Sequence, residues 1–453
     1  MKVEIHLASS RRQSDGLALV GVRVPDIDVN YDLDLPFKGL YTRCSVPDAK
    51  ALDFLITASL CYVIDKIVPR KNAADNWTRK FEVEFPVSDP KLWSSVAGDL
   101  ETALGFLTGD IWQISFRTVE TPFFRRPRAR RHVRSTLVPR MGTATAVCLF
   151  SGGLDSLTGA IDLLERDAAA KVLLIGHYDA AGPKSQQENL FAQIAKQYPL
   201  RSELLQTRVS HKPEAALESS LRSRSLVFMA LGIYAARSSG SEVSVYAPEN
   251  GLIAINVPLT PSRAGSCSTR TMHPYFLSKL AALLTGLEIK NKVVNPLELK
   301  TKGECIIECL NQPLLKSVVK ASVSCSHGTR RQNWIRKDSD NCGYCMPCLF
   351  RRAALHVAGL DLGRNYGIDV CAGELPLDDD GDSGNDLRAV ADFLSARRTA
   401  TEIARDIRSV APLSQINDYT AVVERGFNEI RSLFRDKATP TIQRAAGIKQ
   451  SKP

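Results

Sequence analysis

An apolar run, Ala146-Val147-Cys148-Leu149-Phe150, gives way to Ser151-Gly152-Gly153-Leu154-Asp155-Ser156 and then to a helix-like run from Leu157 to Arg166. Strand, glycine turn and helix start in that order build a cradle for phosphate. Backbone N–H groups at a helix N-terminus point outward, and the helix dipole favours an anion there. Gly152 and Gly153 allow close backbone approach and positive φ. Ser151 and Ser156 add hydroxyl donors. Asp155 would repel a phosphate, so its expected work is to hold Mg2+ or a loop amide. No lysine follows the glycines, which separates the pattern from G-x-x-x-x-G-K-[ST]. The plain alternative is a Gly-Ser turn opening an ordinary α/β helix.

A second signal lies far downstream. Cys325 stands alone, and Cys342-Gly343-Tyr344-Cys345-Met346-Pro347-Cys348 follows. Two overlapping C-x-x-C units and a distant cysteine supply the four thiolates of a closed structural Zn2+ site, with no position left for water. A redox pair would use two of the four cysteines, and a disulfide framework would need an oxidising compartment. The other seven cysteines are scattered and read as small buried hydrophobes, with Cys267, in a polar segment, as a less favoured catalytic thiol.

The Ser-Gly-Gly-x-Asp-Ser loop resembles that of the PP-loop ATP pyrophosphatases. Together with the late cysteine knuckle it resembles the 7-cyano-7-deazaguanine synthases (the QueC family), from about Thr145 to about Tyr366. Other pieces lie in comparable places: His177-Tyr178-Asp179 at a strand end, Arg222-Ser223-Arg224-Ser225 before a helix, Pro248-Glu249-Asn250-Gly251 after a strand, Thr269-Arg270-Thr271-Met272-His273-Pro274, and Lys300-Thr301-Lys302-Gly303-Glu304. Their wording is closer to a divergent branch, the QueC-like proteins of bacterial antiviral gene clusters, those of QatC type in the Qat anti-phage systems among them. The longer spacing from Cys325 to Cys342, with its charged insert from Arg330 to Asp340, and the long flanks depart from the compact biosynthetic enzyme.

The resemblance implies ATP-dependent adenylation of a 7-deazaguanine carboxylate, then transfer to an amine, either ammonia or a group on a partner protein encoded in the same defence cluster. ATP, Mg2+ and structural Zn2+ are the implied cofactors. Ser151, Gly152, Gly153, Leu154 and Ser156 would hold pyrophosphate, and Asp155 would position Mg2+. Lys302, Arg222 and Arg224 are candidate phosphate cations, each with a plain solvated or structural alternative. His177 and Ser225 are expected beside the nucleotide. Glu249 and Asn250 would read a guanine-like edge, and Arg270 would pair with a carboxylate. His273 would move a proton from the amine, with a core or capping histidine as the alternative. The rival functions are 7-cyano-7-deazaguanine synthesis in queuosine biosynthesis, a tRNA-modifying PP-loop enzyme such as a thiolase, and an idle ATP-binding assembly subunit.

A chain of 453 residues with 44% hydrophobic content is expected to form two or three domains. No run of 18 apolar residues and no apolar leader core occur, so no membrane partner and a cytoplasmic setting are expected. The expected fold class is α/β: a doubly wound parallel sheet of PP-loop type with a zinc knuckle at 141–366. An α+β accessory domain at 1–120 would precede it. There Val3–Ala8, Leu17–Val24, Trp77–Pro86 and Trp112–Val119 read as strands, and Ala49–Ile67 and Trp93–Thr108 as helices. An Arg/Pro-rich linker spans 121–140. It carries Arg125, Arg126, Arg128, Arg130, Arg131, Arg134 and Arg140, much of the net charge of +10. Such a run fits an anionic partner, nucleic acid or acidic protein, or a solvated linker. An acidic linker at 367–386 leads to a helical extension, 387–453, with helices at Leu387–Ala396 and Asp418–Phe434 and a frayed basic tail from Lys437.

Overall fold

The computed structural model of the chain describes residues 1–13, 15–126, 141–179, 181–214, 217–218, 222–259, 270–375, 377 and 384–449. Most of the arginine run (Arg128, Arg130, Arg131, Arg134 and Arg140), Cys267, Thr269, the acidic stretch 378–383 and the last four residues lie outside them.

The strands are β1 (Lys2–Arg12), β2 (Ala18–Val24), β3 (Val29–Asp34), β4 (Lys80–Val87), β5 (Ile111–Thr118), β6 (Ala146–Leu149), β7 (Val172–His177), β8 (Ser202–Thr207), β9 (Ser210–Lys212), β10 (Val245–Tyr246) and β11 (Val293–Val294). The early helices are α1 (Phe37–Cys44), α2 (Ala49–Ile67), α3 (Pro90–Ser94), α4 (Ala97–Thr108), α5 (Leu154–Arg166), α6 (Ala181–Gln197), α7 (Arg224–Ser239) and α8 (Gly251–Ile255).

The fold is mixed α/β. The second sheet has the order β11-β10-β6-β7-β8, and every neighbour pair in it is parallel. The chain lays down β6, β7 and β8 outward in one direction, then returns to place β10 on the free side of β6. In open parallel sheets such a reversal marks where ligands bind, in the crevice beyond the carboxyl ends of the two strands, here β6 and β10. Both faces of the sheet are covered. Val147 and Leu149 join a core with α7 and α2, while Ala146, Cys148 and Phe150 join one with α5 and α6. Alternate residues of a strand point to opposite faces, so a short all-apolar run is what a doubly covered strand needs.

The first sheet, β5-β4-β1-β2-β3-β9, is mixed. Its sixth strand comes from far along the chain: β9 pairs antiparallel with β3, His211 opposite Leu33. Helix α2, capped by Asp48 on the Ala51 N–H and buried along nearly its whole length, lies between the sheets and packs on α7. One apolar cluster therefore runs from Val3 through α2 into α7 and β6. The expected boundary near residue 120 separates no two cores, because α2 is apolar on both flanks and serves both sheets. The stretch Trp93–Thr108, expected as one helix, is two, with the break at Ser95-Val96.

The C-terminal extension contains Asn385–Ser395, Ala400–Val410, Ile416–Lys437 and Pro440–Ala445. It shares a core with the cysteine knuckle. The tail expected to fray from Lys437 instead forms the helix Pro440–Ala445, held by buried Ile442 and Ala446. The described part of the stretch read as an acidic linker packs as well: Ile368, Val370, Cys371 and Leu375 are buried, and Asp386 accepts the Met346 N–H at 2.7 Å. Among the described residues, no helix is long and apolar enough to cross a membrane.

Candidate functional site

The loop after β6 lies at the switch point. Gly152 has φ +85, and a Cβ there would lie 3.1 Å from Gln186 Nε2. Both demands select glycine. The turn is held from behind by amides. Gln186 Nε2 donates to Gly152 O at 2.6 Å, and the Val323 N–H donates to the same oxygen at 3.2 Å. Buried Gln187 donates to Ser151 O and His177 O, at 3.4 and 3.2 Å. Ser151 Oγ accepts the Gly153 N–H and lies 3.3 Å from Ser156 Oγ. Helix α5 starts at Leu154 with Gly153 as its N-cap, and no side chain caps it. Its positive dipole end faces the crevice.

Asp155 sits in the first turn of α5 and joins three parts of the chain. Its Oδ1 accepts Lys302 Nζ at 2.6 Å. Its Oδ2 accepts Asn250 Nδ2 at 2.8 Å and the Asn250 N–H at 3.3 Å. Asp155 and Lys302 have side chains only 12% and 6% exposed, so the pair is little screened. The carboxylate expected to hold Mg2+ or a loop amide therefore holds the amide, and a lysine with it. Asn250 is turned to Asp155 and, through Oδ1, caps α8 at the Ile253 N–H, which takes it away from reading a base edge. Glu249 is half-buried, its backbone clamped by Asn295 from both sides. Burial and the nearby Asp155 carboxylate push its carboxyl up to about 8, against a smaller pull from Lys302. In the protonated form that this shift favours, the carboxyl could donate as well as accept; the expectation was of an ionised acceptor.

The remaining candidates divide. His177, at the end of β7, is fully buried and accepts the Val209 N–H on Nε2, which leaves the proton on Nδ1, 3.9 Å from Asp179. Burial pushes its pKa down to about 4, so it is neutral. Asp179 also pairs with Arg224 at 3.1 Å and takes the Tyr62 hydroxyl from α2. The Arg222–Ser225 segment fans out. Arg222 donates to Thr108 O and stacks on Trp77, Ser223 bonds Asp65, and Ser225 Oγ donates to Thr271 Oγ1. Arg270 donates to Phe106 O at 2.8 Å and lies over the Phe106 ring. It is engaged with α4, where an open carboxylate clamp was expected. His273 is the N-cap of Pro274–Gly286, with Nδ1 accepting the Tyr275 N–H. It is 1% exposed, and burial pushes it down to about 4. That is the capping histidine, not an exposed proton shuttle.

The cysteine knuckle converges. Sγ atoms of Cys325, Cys342, Cys345 and Cys348 all lie within 4.8 Å of one another, with Cys342 and Cys348 at 3.8 Å. A tetrahedral zinc with Zn–S bonds of about 2.3 Å needs sulfurs about 3.8 Å apart, so the four fit a zinc site. Backbone N–H groups of His327 and Cys342 point at Cys325 Sγ, and that of Cys345 at Cys342 Sγ, the donors a thiolate calls for. Gly343 has φ +90, and a Cβ would lie 2.1 Å from Ile368 O. No described cysteine is in a disulfide. Through Val323, two residues before Cys325, the knuckle touches the loop at Gly152.

Sequence reasoning missed Gln186 and Gln187 as supports of the loop, Asn295 as the clamp on Glu249, and Glu429. The last reaches from Ile416–Lys437 to Thr301 and Gly303, either side of Lys302. The two adjacent glutamines were visible in the sequence and read as opening a helix, whereas they lie within α6, which starts at Ala181; nothing local marks Glu429. No protein-family model matches the chain, and no curated protein or solved structure matches it either.

Proposed function

We propose that the chain is an ATP pyrophosphatase of PP-loop type that adenylates a 7-deazaguanine carboxylate and passes the acyl group to an amine. The observation that carries this reading is the Ser151–Ser156 loop at the switch point of a parallel sheet, with Lys302 paired to its Asp155. A carboxylate oxygen of the substrate would attack the α-phosphorus of ATP, and the bond to the β-phosphate oxygen would break. Pyrophosphate would leave against the α5 N-terminus, Ser151, Ser156 and Lys302. The amine nitrogen would then attack the acyl carbon and lose a proton as AMP leaves. Asp155 would release Lys302 to the phosphates and turn to Mg2+, a swap that leaves each group a partner of opposite charge. Zn2+ in the four-cysteine knuckle would hold the segment under Gly152. The extra N- and C-terminal regions fit recognition of a partner protein, as in the antiviral branch.

A tRNA thiolase needs an accessible catalytic thiol. Outside the knuckle every described cysteine is buried, and Cys267, the candidate thiol in a polar segment, lies outside the described residues.

Pyrophosphate release from Mg-ATP tests the proposal, with and without 7-carboxy-7-deazaguanine. Stimulation by the deazapurine is expected, and Asp155→Asn should lower it about 100-fold or more. Release that ignores both the deazapurine and the substitution refutes it.

A further inference from the structure

The helix that carries Lys302 is short, Lys302–Ile307, and its start is secured twice. Within the segment there is a capping box: Thr301 Oγ1 accepts the Glu304 N–H at 3.1 Å, and Glu304 Oε2 accepts the Thr301 N–H at 2.8 Å. The Thr301 hydroxyl hydrogen and the Gly303 N–H then go outside the segment, to a single carboxylate. Glu429 Oε1 takes the first, and Oε2 takes the second at 3.2 Å. One side chain thus bonds the residues on both sides of Lys302.

The fit is close. A Cβ at position 303 would lie 2.4 Å from Glu429 Oε1, so only glycine admits the carboxylate. The helix that bears Glu429, Ile416–Lys437, is registered by further contacts. Arg425 donates to Glu304 at 2.6 Å and to Leu299 O at 2.9 Å, and the Tyr419 hydroxyl bonds Glu298. A six-residue helix has little stability of its own, so the aim of Lys302 depends on what braces it.

We propose that Glu429 is a positioning residue that holds Lys302 on Asp155 and aimed into the crevice, so that the C-terminal extension completes the anion-binding face of the site. The relevance to ATP rests on the function proposed above; the positioning itself does not.

The test is competitive acetylation of the full-length protein with trace acetic anhydride, read lysine by lysine by mass spectrometry. Wild type, Glu429→Ala and Glu429→Gln would be compared, with Tyr419→Phe as a control on the same helix. Lys302 should be among the slowest lysines in wild type. Glu429→Ala should raise its labelling roughly fivefold, the scale of losing a net hydrogen bond at a buried group. Burial pushes the Glu429 carboxyl up to about 7, so neutral Gln is a close mimic that keeps one acceptor. Glu429→Gln should fall between, and Tyr419→Phe should leave Lys302 as in wild type. Equal Lys302 labelling in wild type and Glu429→Ala overturns the proposal, as does an equal rise in Tyr419→Phe. If Glu429→Ala does not fold, Glu429→Gln against wild type decides on the same terms. Pyrophosphate release measured on the same samples separates the two ideas: its absence in wild type refutes the enzymatic reading and leaves the labelling result to judge Glu429.

Discussion

Among the carboxyls around Asp155, Glu249 is the one pushed furthest from its ordinary range. Its ordinary value of 4.5 rises to about 8, from burial first and from Asp155 second. A folded-state pKa above the unfolded one means that the folded chain holds the extra proton between those values, so stability is full below pH 4.5 and is lost as pH rises through about 8. Glu249→Gln should remove that loss. The difference in thermal midpoint between variant and wild type should therefore grow in the variant's favour from pH 5 to pH 8, by scanning fluorimetry in matched buffers. A difference that is flat with pH would contradict the assignment. At this scale the sequence was partly legible. The glycines and cysteines could be read because their spacing is local. Asp155, Lys302 and Asn250 could each be picked out, but not that the lysine and the asparagine bond the aspartate. For Arg270 and His273 the sequence left the direction of the side chain open, because a polar residue in a loop does not announce which way it points; Arg270 bonds Phe106 O and His273 packs on the Phe106 ring, both on α4.

Among the elements, the helices with continuous apolar content were readable. The helix Ala400–Val410 was not, since it buries only Ile403, Ala404 and Ile407, beneath a charged face. The knuckle is the element with the plainest chemistry. Its helix, Met346–Val357, begins at Cys345 and is capped from outside by Asp386, so ligands, helix start and extension are one assembly. The purified protein should carry about one zinc per chain by elemental analysis, and Cys348→Ser should lose it. A chelator should lower the thermal midpoint of wild type and leave that of Cys348→Ser unmoved. Because Val323 bonds Gly152, metal loss should also loosen the loop, raising proteolysis near Ser151.

For the whole molecule, the least legible feature was how the first 120 residues join the rest. The joint is partly electrostatic. Arg79 is fully buried between Asp65, at 2.5 Å, and Asp110, at 2.6 Å, and Asp65 in turn accepts the Ser223 hydroxyl at 2.5 Å. Removing one member of a buried charge network leaves the others uncompensated, at about 3–5 kcal/mol. Arg79→Met should lose stability on that scale in urea titration, and trypsin should cut faster after Arg222 and Arg224, which flank Ser223. Unchanged cleavage there would mean that the network does not hold this segment. The joint is also a matter of pairing, and β9 gives it a consequence in time. A ribosome adds roughly 5–20 residues per second, so β3 emerges some ten to forty seconds before β9 exists. Throughout that interval the nascent first sheet has a bare edge of unpaired peptide groups, open to strands of neighbouring chains. Synthesis at low temperature, or with chaperones in excess, should therefore raise the yield of native protein more than any change of purification buffer.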